Sequence, residues 1–306
     1  MIGKAGLSKI GIGAWGLGGL AERNPENDDN KQIDAVCHSL QKGVNFLEIN
    51  FWNSQGHSVE ILRQAIKKSG VPHENLFLIQ SIYNYNLETI KDIESEFHLA
   101  LEKFETKQMD SLQFNLPSFK KFGFDNLVRL IERYLTENKI RYTSLTNSNL
   151  EHLKRCHKIF KDRLFSHELC FNFEVRVNED LGISRYADGK NILNVPYQPL
   201  RRNRTAQRNW PLLVELAGKY GKSQNQIILN WIVSKGYLPL VKSENINHIN
   251  ENVSALEFKM EKEDLDRLNA FRVPSYKIPD IDWYLEGKGT KIHILPNEFD
   301  SLYPIN

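Results

Sequence analysis

Cysteine is scarce in this chain. Cys37, Cys156 and Cys170 are widely scattered. They form no CxxC pair and leave an odd thiol, so neither a disulfide framework nor a cysteine-based metal centre is indicated, and a reducing compartment suits them. No His/Asp/Glu/Cys cluster has ligand spacing, so no metal is expected. Long apolar runs are missing too: nothing reaches the roughly 20 residues that span a bilayer, and the opening MIGKAGLSKIGIG lacks the apolar core of a signal peptide. Charge of one sign is also lacking, because 40 Lys and Arg offset 38 Asp and Glu to leave +2. That balance gives no global pull toward nucleic acid or anionic membrane. What remains is an ordinary soluble composition, 41% hydrophobic and 25% charged, for which a cytoplasmic protein is the default. No repeat, linker or low-complexity tract divides residues 1–306, and a single α/β barrel domain commonly runs to this size.

Short β-rich apolar segments alternate with longer segments of helical period, which predicts βαβ units and a parallel sheet. The spacing predicts strands over 10–13, 44–49, 76–82, 111–115, 142–145, 165–171, 192–195 and 238–241. Helices are predicted over 31–42, 59–69, 87–104, 124–138, 150–160, 210–220, 224–234 and 246–256, with an amphipathic segment over 261–271. Ser223 followed by Gln226 reads as a capping pair. Eight strands in alternation favour a closed (β/α)8 TIM barrel over an open doubly wound sheet, with functional residues at the C-terminal strand ends. Residues 273–306 mix prolines with aromatics and show no period, as expected of a packed tail.

The densest signal is GVNFLEINFWNSQGHSVEIL, residues 43–62. With the opening GIGAWGLGG, residues 11–19, it resembles the aldo/keto reductases, and the resemblance runs over roughly residues 8–272. Gly43, Val44, Asn45, Phe46, Gly56, His57 and Ser58 fit the frame of that family's first catalytic motif. The family passes a hydride from NADPH to a carbonyl carbon while a Tyr protonates the oxygen. A Lys paired with an Asp lowers the Tyr pKa, and a His orients the carbonyl. At those four positions this chain has Asn53 for Tyr, Ser81 for Lys, Glu48 for Asp and Asn115 for His. An amide has no proton to give at neutral pH, whereas a phenol does. The resemblance therefore implies the scaffold without efficient carbonyl reduction by the usual route. Glu48, lacking its Lys, is either an acid/base with a raised pKa or a satisfied carboxylate. Tyr83 and Tyr85 carry phenols near the mouth or simply pack. His57 is expected to be structural and His167 a wall residue. Trp15 and Trp52 line a pocket for an aromatic or apolar substrate, or pack in the core.

The cofactor positions keep more of the family pattern. KIRYTSLTN resembles the strand whose Ser-Asn holds the nicotinamide carboxamide, giving Thr146 and Asn147. ELCFN places Glu168 at another nicotinamide contact, normally Gln, where an added negative charge would favour the oxidised ring. VPYQPL supplies Tyr197, Gln198 and Leu200, with the Tyr at the position that stacks on the ring. VKSENINHINEN supplies Lys242, Ser243, His248 (for Arg), Glu251 and Asn252 at the spacings that hold the 2′-phosphate and adenine of NADP. An ammonium, a hydroxyl and a helix N-terminus all suit a phosphate. Arg201, Arg202 and Arg204 read as a solvated loop or as phosphate contacts. Thr146 and Tyr197 are alternatively ordinary strand residues. Three functions stay open: a divergent NADP(H)-dependent oxidoreductase acting on a small molecule, a non-redox isomerase or lyase using Glu48 and Glu168, and a catalytically silent NADP-binding sensor or structural protein.

Overall fold

The computed structural model describes residues 4–273, so all of the expected tail except its first residue lies outside the described residues. Among the described residues seven parallel strands run in sequence order: β1 (Gly11–Ile12), β2 (Phe46–Ile49), β3 (Phe77–Ile82), β4 (Met109–Asn115), β5 (Ile140–Thr146), β6 (Leu164–Cys170) and β7 (Leu193–Tyr197). Both faces of β2, β3 and β6 are buried along their whole length, as parallel strands covered by crossover helices require.

The predicted strand at 238–241 forms no regular ladder. Pro239 has no N–H and cannot sustain one. The segment nevertheless bonds to both edges of the sheet. Leu238 and Leu240 donate to Asn194 O and Pro196 O beside β7, at 3.0 and 2.8 Å. Gly11 of β1 donates to Pro239 O at 3.0 Å and accepts from Val241 N at 2.8 Å. The sheet thus curls until its first and last strands share one segment. Gly11 sits where a Cβ would meet the side chains of Phe46, Leu238 and Leu240 at 2.8–2.9 Å, so any larger residue at this seam would have to push them aside.

Side chains alternate along each strand, and the inward set changes character from bottom to top. Phe46, Phe77, Ile79, Phe165, Val195, Leu238 and Leu240 form an apolar floor. Above it Ser144 Oγ bonds Ser111 Oγ and Ser166 Oγ, each at 2.8 Å. Higher still, toward the C-terminal strand ends, lie Glu48, Ser81, Gln113, Thr146 and Glu168, all buried. A closed apolar floor beneath an open polar rim puts the chemistry at one end only.

The nine longer helices among the described residues match the predicted ones to within about three residues at each end, a normal spread for boundaries. The Ser223–Gln226 pair forms a full capping box. Four short helices were not predicted: Leu116–Phe122, Val177–Asp180, Ile183–Asp188 and Arg204–Gln207. Each spans two turns or fewer, too little for a period to show.

The helix Ile90–Lys103 carries Glu96 against β3, where burial pushes its carboxyl up to about 7 despite hydrogen bonding with Gln80. A carboxyl raised in the folded state stabilises fully below its unfolded pKa and less as pH rises through the folded value. Glu96→Gln is therefore expected to remove about 1–3 kcal/mol of stability loss between pH 4.5 and pH 8. Denaturant midpoints at the two pH values check this; an unchanged difference would show that Glu96 is solvated.

Candidate functional site

Ser81 stands on β3, Gln113 on β4 and Glu168 on β6, all facing the interior. Gln113 Nε2 donates to Ser81 Oγ at 2.7 Å and to Glu168 Oε2 at 2.6 Å. Burial pushes the Glu48 carboxyl up, against hydrogen bonding from the Ser81 hydroxyl and the Ala14 backbone. Two carboxyls are thus joined across four strands through one hydroxyl and one amide. Burial, then the charge of Glu48, raises Glu168 well above the usual carboxylate range, against its bond from Gln113. Two like charges this deep cannot both ionise freely.

The upward shift makes an added negative charge at Glu168 costlier to hold than its residue type alone implies.

The four positions read from the catalytic motif separate in space. Glu48 and Ser81 meet as described. Asn115 instead caps the helix Leu116–Phe122: its Oδ1 accepts from Ser118 N at 2.9 Å and from Ser118 Oγ at 2.6 Å. Asn53 is buried in a tight turn, 2% exposed, and its Oδ1 has no hydrogen-bond partner among the described residues. Ser54 and Gln55 follow at φ 52° and 54°. Ser54 N and Oγ bond Leu20 O and Leu17 O at 2.7 and 2.5 Å, which fixes the turn to the β1 loop. His57 is structural as expected, its Nε2 lying 2.6 Å from Asp29 Oδ2. His167 is fully buried in the wall and accepts from Ser148 N at 3.1 Å.

Four of the positions expected to meet the nicotinamide lie together. Thr146 and Glu168 are register partners on β5 and β6. Asn147 turns at φ 48° and donates its backbone N–H to Glu168 O at 3.0 Å. Tyr197, at the end of β7, donates its hydroxyl to Asn147 Oδ1 at 2.9 Å. Thr146 Oγ1 is buried and lacks a well-aligned partner. Gln198 and Leu200 continue the same loop. Gln198 sits at φ 52° with its carbonyl accepting from Arg201 N at 3.2 Å, and Leu200 packs on the second hydrophobic cluster.

At the other end Lys242, Ser243 and Asn252 line one narrow cleft with Ile10, Val44 and Val253. Lys242 Nζ donates to Gly16 O at 2.8 Å and lies 4.0 Å from Glu244 Oε1. Gln32 holds the same loop, donating to Gly16 O and Glu244 Oε1 at 3.1 and 2.5 Å and accepting from Gly18 N at 2.7 Å. Partial burial lowers the Lys242 pKa, with Glu244 opposing and Arg202 adding to the shift. Ser243 Oγ accepts from Asn245 N at 3.0 Å. His248 is exposed and Glu251 partly so, both on the helix Ile246–Ser254. The structure does not bring these two to the cleft.

Of the three arginines after Leu200, Arg201 is buried and bonded to Glu174, which settles it as a loop anchor. Trp15 and Trp52 are half-buried on the loops after β1 and β2, stacked at 5.3 Å. Tyr85 stacks on Trp52 at 4.5 Å, and Tyr83 meets its edge at 6.3 Å. These four rings form one wall of the mouth rather than part of the core. Gln113 was missed by sequence reading; its signal is the polar alternation Ser111, Gln113, Asn115 on a strand otherwise apolar.

The aldo/keto reductase family model matches residues 9–273. The chain belongs to the aldo/keto reductase family. It is 24% identical over 256 residues to an uncharacterised oxidoreductase, YtbE, of Bacillus subtilis, covering 83% of this chain and 89% of that one. It is 23% identical over 256 residues to the glyoxal reductase of the same organism, covering 84% and 87%. Among solved structures, the thermostable aldo-keto reductase Tm1743 superimposes with a TM-score of 0.79 at 21% identity, covering 86% of this chain and 95% of that one. An aldo/keto reductase of Klebsiella pneumoniae, solved with NADP and acetate, gives a TM-score of 0.74 at 18% identity over 89% and 94%. No described helix is long and apolar enough to cross a membrane, and no described group of His, Cys, Asp and Glu could hold a metal ion.

Proposed function

We propose that the chain is a single-domain (β/α)8 barrel that binds NADP(H) and serves as a divergent oxidoreductase on a small molecule. The observation that carries this reading is the convergence of Thr146, Asn147, Glu168 and Tyr197 on one strand-end surface. Thr146, Asn147 and Glu168 would hold the carboxamide. Tyr197 would offer its ring face, with Gln198 and Leu200 lining the loop that crosses the dinucleotide. Lys242 and Ser243 would take the 2′-phosphate, and Asn252 the adenine. His248 and Glu251 border that end. When bound, the nicotinamide supplies the hydride.

Proton handling would not follow the usual four residues. Asn53 is an amide, and Asn115 is committed to its helix cap. Ser81 relays between Glu48 and Gln113. The ionisable groups left at the mouth are the Glu48–Glu168 pair, Tyr83 and Tyr85. The same buried pair supports a second reading, a non-redox isomerase or lyase in which one carboxyl takes a proton and the other returns it. A silent NADP-binding protein would share the dinucleotide site alone.

Calorimetric titration of the purified protein with NADPH, NADP and NADH tests the first reading. Micromolar NADPH binding is expected. Lys242→Ala should weaken it about tenfold or more, the worth of a charged hydrogen bond, while leaving NADH unchanged. Absence of all dinucleotide binding would remove both the redox and the sensor readings and leave the carboxyl pair as the centre of a different activity.

A further inference from the structure

We propose that Glu244 sets how this protein treats the adenosine ribose, so that a 2′-hydroxyl is accepted about as well as a 2′-phosphate and NAD(H) competes with NADP(H). This role for Glu244 rests on the dinucleotide reading above and concerns only its adenosine end.

Positive charge is scarce at this end. Lys242 is the one cation among the described residues that line the narrow cleft. Its ammonium is already engaged: it donates to Gly16 O at 2.8 Å, and Glu244 Oε1 lies 4.0 Å away. A phosphate monoester carries about −1.5 to −2 near neutral pH, which one lysine facing a carboxylate does not match. Neighbouring cations add little. Lys31 lines the adjoining groove of about 540 Å³ together with Asp28, Asp34 and Glu244. Arg202, whose charge reaches Lys242, is exposed and does not line the cleft. His248 is exposed as well.

The Glu244 carboxylate, by contrast, is held in place with one oxygen to spare. Gln32 is buried, and its Oε1 accepts from Gly18 N and Asn27 Nδ2 at 2.7 and 3.0 Å, which fixes the orientation of the amide. Its Nε2 then donates to Gly16 O at 3.1 Å and to Glu244 Oε1 at 2.5 Å. Glu244 Oε1 is thereby committed, whereas Oε2 makes no hydrogen bond to a described residue. The side chain is 40% exposed and follows directly on Ser243, which lines the cleft. An oriented carboxylate with a free oxygen is an acceptor for a hydroxyl.

The two forms of the ribose differ in what they bring to that oxygen. A 2′-hydroxyl has a proton to donate, while a 2′-phosphate brings charge of the same sign. An acidic side chain at the ribose is a general means by which dinucleotide sites favour the unphosphorylated form. Here it stands two residues from the lysine that suits the phosphate, so the two preferences offset each other. In a partly exposed position each is worth about tenfold in binding, which brings the net preference close to even.

The test is calorimetry on the full chain with NADPH, NADH and two fragments that carry the adenosine end alone, adenosine 2′,5′-bisphosphate and 5′-AMP. Expected for the parent protein are affinities within about tenfold of each other for the two dinucleotides, and likewise for the two fragments. Glu244→Gln keeps an acceptor for Gln32 and removes the charge, so it should move both ratios about tenfold toward the phosphorylated member. Glu244→Ala is the second charge-free variant if the first fails to fold. A side chain that only supports its loop would weaken all four ligands alike and leave the ratios where they were. That outcome, or a parent preference clearly above tenfold for either member of a pair, would overturn the proposal. The expected fragment shift without any binding of NADPH or NADH would sink the dinucleotide reading alone. Binding of both dinucleotides with ratios that Glu244 does not move would sink the role of Glu244 alone, and no binding by any of the four would sink both.

Discussion

Replacing Glu174 with alanine will destabilise the protein by about 3–5 kcal/mol, the usual cost of removing one partner from a buried ion pair. Glu174 is fully buried just after β6. Its two oxygens accept from Arg201, from Arg208 Nη1 at 3.2 and 3.3 Å, from Thr205 Oγ1 at 3.0 Å and from Trp210 Nε1 at 2.7 Å. The side chains of Arg201 and Arg208 are 1% and 4% exposed. Without the carboxylate, two guanidinium groups remain in a space that water hardly reaches. The loss should exceed any surface substitution nearby, because a buried carboxylate that accepts from four side chains is removed. All four partners lie on the loop that follows Tyr197, so weaker dinucleotide binding should accompany the lost stability. Chemical denaturation of the variant measures the first effect and calorimetry the second. A destabilisation under about 1 kcal/mol would show that the hub is not what holds the loop.

A second large effect is expected from removing the charges at the rim. Both Glu48 and Glu168 have folded-state pKa values raised above the ordinary carboxyl value. Such groups contribute stability that is complete below the unfolded pKa and is lost as pH rises through the folded one. The double variant Glu48→Gln with Glu168→Gln should therefore resemble the parent protein at pH 4 and exceed its stability at pH 8. Gln113 and Ser81 can still bond the two amides, so the packing survives the change. Denaturant midpoints across pH 4–9, compared as variant minus parent, isolate the pair from Glu96. A variant less stable than the parent at pH 8 would mean that hydrogen bonds to the carboxylates outweigh their burial. The same substitutions remove the site's acid, so any proton-dependent turnover should fall as stability rises, the trade-off common at active sites.

The strands were legible because each is a short apolar run between helical periods, and seven of the eight predicted ones form ladders. The exception, 238–241, was placed correctly and lacks a ladder because of Pro239, a local rule visible in the sequence. The Ser223–Gln226 box was legible for the same reason: both partners are three residues apart. The site was legible only where one motif holds its own partners. Lys242, Ser243 and Asn252 of one motif line a single cleft, whereas His248, in the same motif, faces solvent. Glu48 and Glu168 were each singled out, but their union through Ser81 and Gln113 depends on the curl of the sheet, which joins residues 120 apart in sequence. The raised pKa of Glu168 was hidden for a related reason. Residue type sets the ordinary pKa, while burial and a second carboxyl decide the actual protonation. The role of Asn115 was hidden because one asparagine serves equally as a polar strand-end residue and as a cap.

That cap also limits what position 115 can become. Asn115 holds the first turn of Leu116–Phe122 through Ser118. A histidine placed there would forfeit the cap before any neighbouring substitution could make the imidazole useful. Each single step toward an ionisable group at that position therefore passes through a less stable protein. New activity is more accessible by elaborating the buried glutamates, whose hydrogen bonds leave the helix start untouched.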